Sequence, residues 1–318
     1  KPTGTAGKHE GKVRFAFSGK TLEKPLTWVL HDVDFPPAPR LHVGGWDYTD
    51  SPCRFGPREN LQGRIDRMKD FFTDTPMATS GVLPGGAKFG PDGALLNADG
   101  LDFRAWESWT SLHAGARLYM VVGTGGDKRG FMGEPIATPR FERMVADYYA
   151  AWSKGVAARG VDPRRVVLHL VDEPAEESRA RLQVALTKAI KKGAPDFRIF
   201  ANPIYVNPRE VPMETYTTCD ILCPLVLRIN EGRSAKFYLD VAREHRKELW
   251  LYSCSGPARL LDPSSYYRAL QWFAWQMGAK GTCYWSFGCN GGGDSWCAWT
   301  QPARDYSPFF VSPDGTSP

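Results

Sequence analysis

The stretch Arg165-Val166-Val167-Leu168-His169-Leu170-Val171-Asp172-Glu173-Pro174 decides how the rest of the chain is read. A near-continuous apolar run over 165–171 is what a strand buried on both faces of a parallel sheet requires. Two carboxylates end the run, and Pro174 has no N–H to extend a hydrogen-bond ladder. A helix follows over 176–192, with Leu182, Ala185, Leu186, Ala189 and Ile190 on one face. Gly193 reads as the residue just past its end, where a left-handed backbone favours glycine.

The same strand–helix alternation extends in both directions. Downstream, strands are expected at Arg198–Asn202, Asp220–Leu227, Leu249–Ser253 and Gly281–Phe287, with helices over 234–246 and from Pro263 to Met277. Upstream, strands are expected at Leu41–Trp46, Met77–Leu83 and Arg117–Val122, with helices over 59–72 and 102–115. A further helix carries Phe141, Met144, Val145, Tyr148, Tyr149, Trp152 and Val156 as one continuous stripe, which packs it against the sheet. The last five strands recur at about the length of one βα unit. Eight alternating units make a (β/α)8 TIM barrel, with functional groups at the strand C-termini. An open doubly wound sheet is disfavoured, because Gly44-Gly45-Trp46-Asp47 after strand one is not a dinucleotide fingerprint. The barrel is assigned to 41–318. Residues 1–10 read as a disordered tail, and Lys12–Ser18 and Leu26–Leu30 as short strands. The whole of 1–40 is thus a short β-rich N-terminal extension, a lead-in or the remnant of a preceding domain.

Composition excludes several function classes. The chain has 318 residues, 42% hydrophobic and 24% charged, which rules out disorder, collagen and coiled coil as whole-chain readings. No apolar run approaches the ~18 residues of a membrane span. Basic residues number 40 against 35 acidic, dispersed along the chain, so nucleic-acid and membrane-surface roles gain no support. The six His show no metal-ligand spacing, and the seven Cys contain no CxxC pair. Gly123-Thr124-Gly125-Gly126 lacks the Lys-Ser/Thr of a phosphate loop, so neither a metal nor a cofactor is expected. The 11 Trp and 12 Tyr, set among many loop-forming residues, suit sugar-binding clefts as well as large cores. The chain opens Lys1-Pro2-Thr3-Gly4, with no signal peptide, and reads as trimmed.

Asp172-Glu173 dominates the ionisable groups at the strand ends. Neighbouring carboxylates repel, so the pair is expected to hold one proton between them, which divides the roles of acid and carboxylate. That division suits glycosidic-bond cleavage. Capping the following helix does not need these two, since Glu176 and Glu177 already fill its first turn. The usual second carboxylate of a retaining barrel glycosidase is missing. Strand seven ends Trp250-Leu251-Tyr252-Ser253-Cys254, and Glu248 and Asp220 lie at the wrong, N-terminal ends of their strands. Direct attack by Asp172 is awkward, since adjacent residues can hardly sit on opposite faces of one sugar. Three schemes remain: Glu173 as acid with a loop acid such as Asp47 or Asp294, in an inverting or other retaining enzyme; a substrate that brings its own nucleophile, a 2-acetamido oxygen; or a barrel that binds carbohydrate without cleaving it.

The barrel, the Asp172-Glu173-Pro174 at the end of strand four and the strand-eight segment Gly281-Thr282-Cys283-Tyr284-Trp285-Ser286-Phe287 resemble the catalytic domain of glycoside hydrolase family 123. The resemblance covers roughly 40–318 and implies a retaining β-N-acetylgalactosaminidase using substrate-assisted catalysis. It gives Asp172 the acetamido group to orient and Glu173 the role of acid and base. It also implies a secreted or periplasmic protein acting on oligosaccharides, glycans or glycoconjugates, with β-sandwich domains flanking the barrel in most members.

Asn202, Tyr205 and Tyr252 fall where such a site needs hydrogen bonds. Trp46, Trp285 and Trp296 are candidate aromatic walls, with Trp299 in the same Gly-rich loop as Trp296. Cys289 and Cys297 bracket that loop and are a candidate disulfide or two free thiols. Cys219, Cys223, Cys254 and Cys283 read as small buried strand residues, and His169 as a satisfied core histidine.

Overall fold

The structure is a computed structural model that describes residues 4–33, 38–50, 61–124, 129–254 and 268–285. The chain separates into two compact units, Lys1–Pro39 and a second beginning at Arg40.

The first unit is an antiparallel hairpin of Gly7–Phe17 and Lys20–Leu30, in register from Gly7↔Leu30 to Phe17↔Lys20. Ser18 and Gly19 both have positive φ, 47° and 72°, as a two-residue turn matching the strand twist requires. Both strands are longer than the sequence pattern foretells, and the ladder takes up Gly7–Glu10, expected to be disordered. His9 and Gly11 hide the alternation there, yet His9 stacks on Trp28 at 5.7 Å.

In the second unit, eight parallel strands close into a barrel in sequential order. They are β1 His42–Tyr48, β2 Thr75–Ala78, β3 Tyr119–Val122, β4 Val166–His169, β5 Arg198–Ala201, β6 Ile221–Leu222, β7 Glu248–Ser253 and β8 Gly281–Tyr284. The surrounding helices are α1 Leu61–Asp70, α2 Arg104–Leu112, α3 Pro139–Ala158, α4 Glu177–Gly193, α5 Glu214–Thr217, α6 Val226–Glu231, α7 Ala235–Glu244 and α8 Ala269–Gln276.

Strand alternation sorts side chains into two cores. Trp46, Met77, Met120, Val167, Phe200, Ile221, Trp250 and Cys283 fill the barrel interior, while their neighbours in sequence pack outward against the helices. α3 starts where Thr138 caps it through Phe141 N at 3.0 Å, with Pro139 in its first turn. Its predicted stripe is wholly buried.

Three expectations need correction. Strand two stops at Ala78, because the Thr79 hydroxyl accepts from Gly81 N and starts a 3-10 turn over Ser80–Val82. Strand six is only Ile221–Leu222; the apolar run after it forms α6, which takes Arg228 away from the strand end. Gly193 ends α4 for packing rather than for a left-handed cap. A Cβ there would stand 1.9 Å from the Ala146 carbonyl of α3. Gly193→Ala should therefore destabilise the barrel by about 1–3 kcal/mol, read as a lower midpoint in thermal or urea unfolding.

The N-terminal rim is held by acids in structural roles. Asp220 accepts from Ile199 N at 2.7 Å and pairs with Lys191 at 2.8 Å, and Glu248 pairs with Arg198. Both are thus engaged at the end of the barrel opposite to Asp172 and Glu173. Between β1 and α2, Trp109 Nε1 donates to Thr49 Oγ1 at 2.9 Å, and that hydroxyl meets His113 Nε2 at 2.7 Å. With one lone pair taken by Trp109, the Thr49 hydroxyl keeps its own hydrogen to donate to a neutral imidazole.

Burial, and secondarily the Lys69 charge, push His113 down to about 4. The unfolded chain takes up this proton near pH 6.5, the folded chain only near 4. The stabilisation is complete above about 6.5 and fades as pH falls to about 4, by up to about 3 kcal/mol. Urea unfolding at pH 7 and pH 4.5 should show a smaller acid loss in His113→Gln than in the parent.

Candidate active site

The barrel interior opens upward into a ring made by the last inward-facing residue of each strand. Alternation carries Trp46 to Tyr48, Phe200 to Asn202, Trp250 through Tyr252 to Cys254, and Cys283 to Trp285. Asp47, between Trp46 and Tyr48, is on the opposite face of β1 and is buried there.

β4 ends at His169, earlier than the run to Val171 foretells, so Asp172 and Glu173 sit on the turn beyond it. Glu173 has φ +45°, a left-handed conformation that a side chain with a Cβ adopts at a cost of about 1–3 kcal/mol. Two contacts hold that turn in place. Glu173 N donates to Asn202 Oδ1 at 3.2 Å, and Arg179 donates to the Asp172 carbonyl.

The two carboxylates have separate partners. Asp172 Oδ1 accepts from Asn202 Nδ2 at 3.0 Å and lies 3.4 Å from His169 Nε2, while its side chain remains 60% exposed. Glu173 Oε1 accepts from the Tyr252 hydroxyl at 2.7 Å, with Cys254 Sγ at 3.7 Å. Burial first, then the adjoining Glu173 charge, raise the Tyr252 phenol far above its ordinary range. Tyr252 is therefore a fixed donor that leaves Glu173 Oε2 as the second oxygen for proton transfer.

Beneath this pair lies an aromatic floor. Trp46 is closed to solvent and touches His169 edge-on at 5.9 Å, Phe200 at 6.3 Å and Tyr252 at 5.1 Å. Trp285 stands at the rim, half-buried, edge-on to Tyr48 at 6.4 Å. The structure thus gathers Asp172, Glu173, Asn202, Tyr252, Trp46 and Trp285 around one barrel mouth. Asn202 is fully buried, so it serves the carboxylates from below.

Tyr205 is not in this group. It packs with the outer core, and its hydroxyl meets no hydrogen-bonding partner among the described residues. Trp296, Trp299, Asp294, Cys289 and Cys297 lie outside the described residues. Two residues set aside in the sequence belong to the mouth. His169 alternates inward with Val167 and meets Asn202 Oδ1 at 3.0 Å. Cys254 is half-buried beside Glu173, whereas Cys219, Cys223 and Cys283 are fully buried as expected. Counting in twos along each strand, from Val167 to His169 and from Tyr252 to Cys254, is the signal that finds both.

No protein-family model and no curated protein sequence matches the chain. Solved structures do. An endo-1,4-β-D-mannanase from Thermotoga petrophila RKU-1 superposes with a TM-score of 0.51 at 12% identity, over 79% of this chain and 89% of that one. A family 113 β-mannanase from Alicyclobacillus acidocaldarius gives 0.49 at 14% identity, over 87% and 94%. The mannanase likeness establishes the TIM-barrel fold. Among the described residues no cluster of His, Cys, Asp and Glu could hold a metal ion, and no helix is long and apolar enough to cross a membrane.

Proposed function

We propose that this chain is a retaining glycoside hydrolase that cleaves a β-linked 2-acetamido sugar, N-acetylgalactosamine being favoured, by substrate-assisted catalysis. The observation that carries the reading is the make-up of the mouth. Two adjacent carboxylates follow one strand, and the Glu173 of that pair faces the end of β7, where the described residues Tyr252, Ser253 and Cys254 carry no carboxylate. Nucleophilic attack from across the sugar then falls to the substrate. The mannanase likeness supports a carbohydrate substrate, and the family 123 resemblance supports the acetamido group.

In this mechanism the acetamido oxygen attacks C1 as the C1–O bond breaks, and Glu173 gives its proton to the departing oxygen. Asp172 accepts the amide N–H and opposes the positive charge that grows on the oxazolinium ring. Water then attacks C1 from the vacated side as the C1–O bond to the acetamido oxygen breaks, and Glu173 takes a proton from that water, so the anomeric configuration is retained. Asp47, turned to the other face of β1, is poorly placed to activate water for an inverting enzyme.

The test compares 4-nitrophenyl β-GalNAc and β-GlcNAc with the plain β-galactoside, following the product anomer by NMR. Turnover of the acetamido sugars with retention is expected. Faster hydrolysis of the galactoside, or inversion, would overturn the reading.

A further inference from the structure

His169 takes no chemical part in the mechanism above, yet it is buried directly under the mouth. We infer that His169 is a positioning residue: a hydrogen on its Nε2 fixes the orientation of the Asn202 amide and, through that amide, both Asp172 and the Glu173 turn. This rests on the reading of Asp172 and Glu173 as the working pair.

An asparagine amide has an acceptor at one end and a donor at the other, and its neighbours decide which way it faces. Glu173 N can only donate, so Asn202 must turn Oδ1 toward it, at 3.2 Å. Nδ2 then faces Asp172 Oδ1, at 3.0 Å, where it supplies the N–H that a carboxylate needs. His169 Nε2 is 3.0 Å from that same Oδ1, so it must carry the hydrogen and leave Nδ1 bare. A reversed amide would set N–H against N–H at Glu173 and oxygen against carboxylate at Asp172. Two donors on Oδ1 hold the working orientation.

The surroundings keep this arrangement rigid. His169 is 3% exposed and Asn202 is wholly buried. The His169 ring sits between the edges of Trp46 and Phe200, at 5.9 Å and 5.5 Å. Burial pushes the imidazole down and so keeps it neutral, against the opposing pull of Asp172, Asn202 and Glu173 and alongside the Arg179 charge. A neutral ring has one N–H to place, and the network directs it to Nε2.

The test uses His169→Gln, whose amide N–H has about the reach of Nε2, and His169→Met, which fills similar volume without a donor. On the aryl 2-acetamido glycoside, His169→Met should lose roughly 10²-fold in kcat with KM within about twofold, because misplacement rather than binding is at fault. His169→Gln should keep kcat within about threefold. Equal losses in the two variants would reduce His169 to core packing and overturn the inference.

A readout independent of activity is ¹⁵N-edited NMR of the parent protein at neutral pH. A slowly exchanging proton on His169 Nε2 is expected, and a proton on Nδ1 instead would overturn the assignment. If no glycoside is hydrolysed at all, the function fails, while the tautomer measurement still decides the inference.

Discussion

Glu173→Gln should abolish most turnover of glycosides with ordinary leaving groups, while sparing those whose leaving group departs as a stable anion. Positioned general acids contribute about 10²–10⁴ in rate, equivalent to roughly 3–5 kcal/mol of barrier. Glutamine preserves the side-chain volume and keeps an oxygen for the Tyr252 hydroxyl, so the mouth should remain assembled. It has no proton to give. Tyr252 cannot substitute, since burial, which the exchange leaves in place, holds its proton above the working range. The loss should therefore be about 10²–10⁴-fold in kcat/KM for a 4-methylumbelliferyl 2-acetamido glycoside, and several-fold at most for the 2,4-dinitrophenyl one, which needs no protonation. Parallel kinetics on the two substrates read this directly. An equal loss on both would mean that Glu173 shapes the mouth without donating a proton.

That Glu173 could be singled out at all reflects what sequence patterns encode. A buried parallel strand has a strong signature, and Arg165–Val171 carries it; the helix stripe from Phe141 to Val156 is equally legible, because one face of α3 is entirely buried. Short elements are not legible in this way. Strand six closes the barrel with Ile221–Leu222 alone, and the apolar residues after it serve a helix turn, so composition could not tell the two apart.

The candidate site divides along the same line. Asp172 and Glu173 announce themselves as charges after an apolar run. Asn202 and Tyr252 follow from the expectation that strand ends converge. Tyr205 fails because, three residues past Asn202, it has left the strand's parity and joined the outer core. His169 was hidden because an imidazole inside a strand reads as core. Its meaning lies in the contact with Asn202, a residue 33 positions away that only barrel closure brings near. Pairings between strands are the part of the chemistry that a linear pattern does not contain.

Asp172→Asn carries the second large effect, and it separates substrate assistance from ordinary acid catalysis. The carboxylate is 60% exposed in the free protein, where water screens its charge. A sugar seated over the mouth would displace that water, and the same charge would then act at short range on the forming oxazolinium, where a lower effective dielectric strengthens it. Asparagine keeps the shape and can accept the amide N–H, but it cannot oppose the positive charge. Losing one preorganised electrostatic group of this kind costs about 10²–10³ in kcat. The loss should be the same for the methylumbelliferyl and dinitrophenyl glycosides, because ring closure onto C1 is impaired whichever group leaves. This is the reverse of the Glu173→Gln pattern. Affinity for a thiazoline that imitates the cyclic intermediate should fall by a comparable factor, measured as an inhibition constant. An Asp172→Asn enzyme within about threefold of the parent on both substrates would mean that the charge does not face the reacting amide. Glu173 would then need another partner, and the substrate-assisted route would be lost.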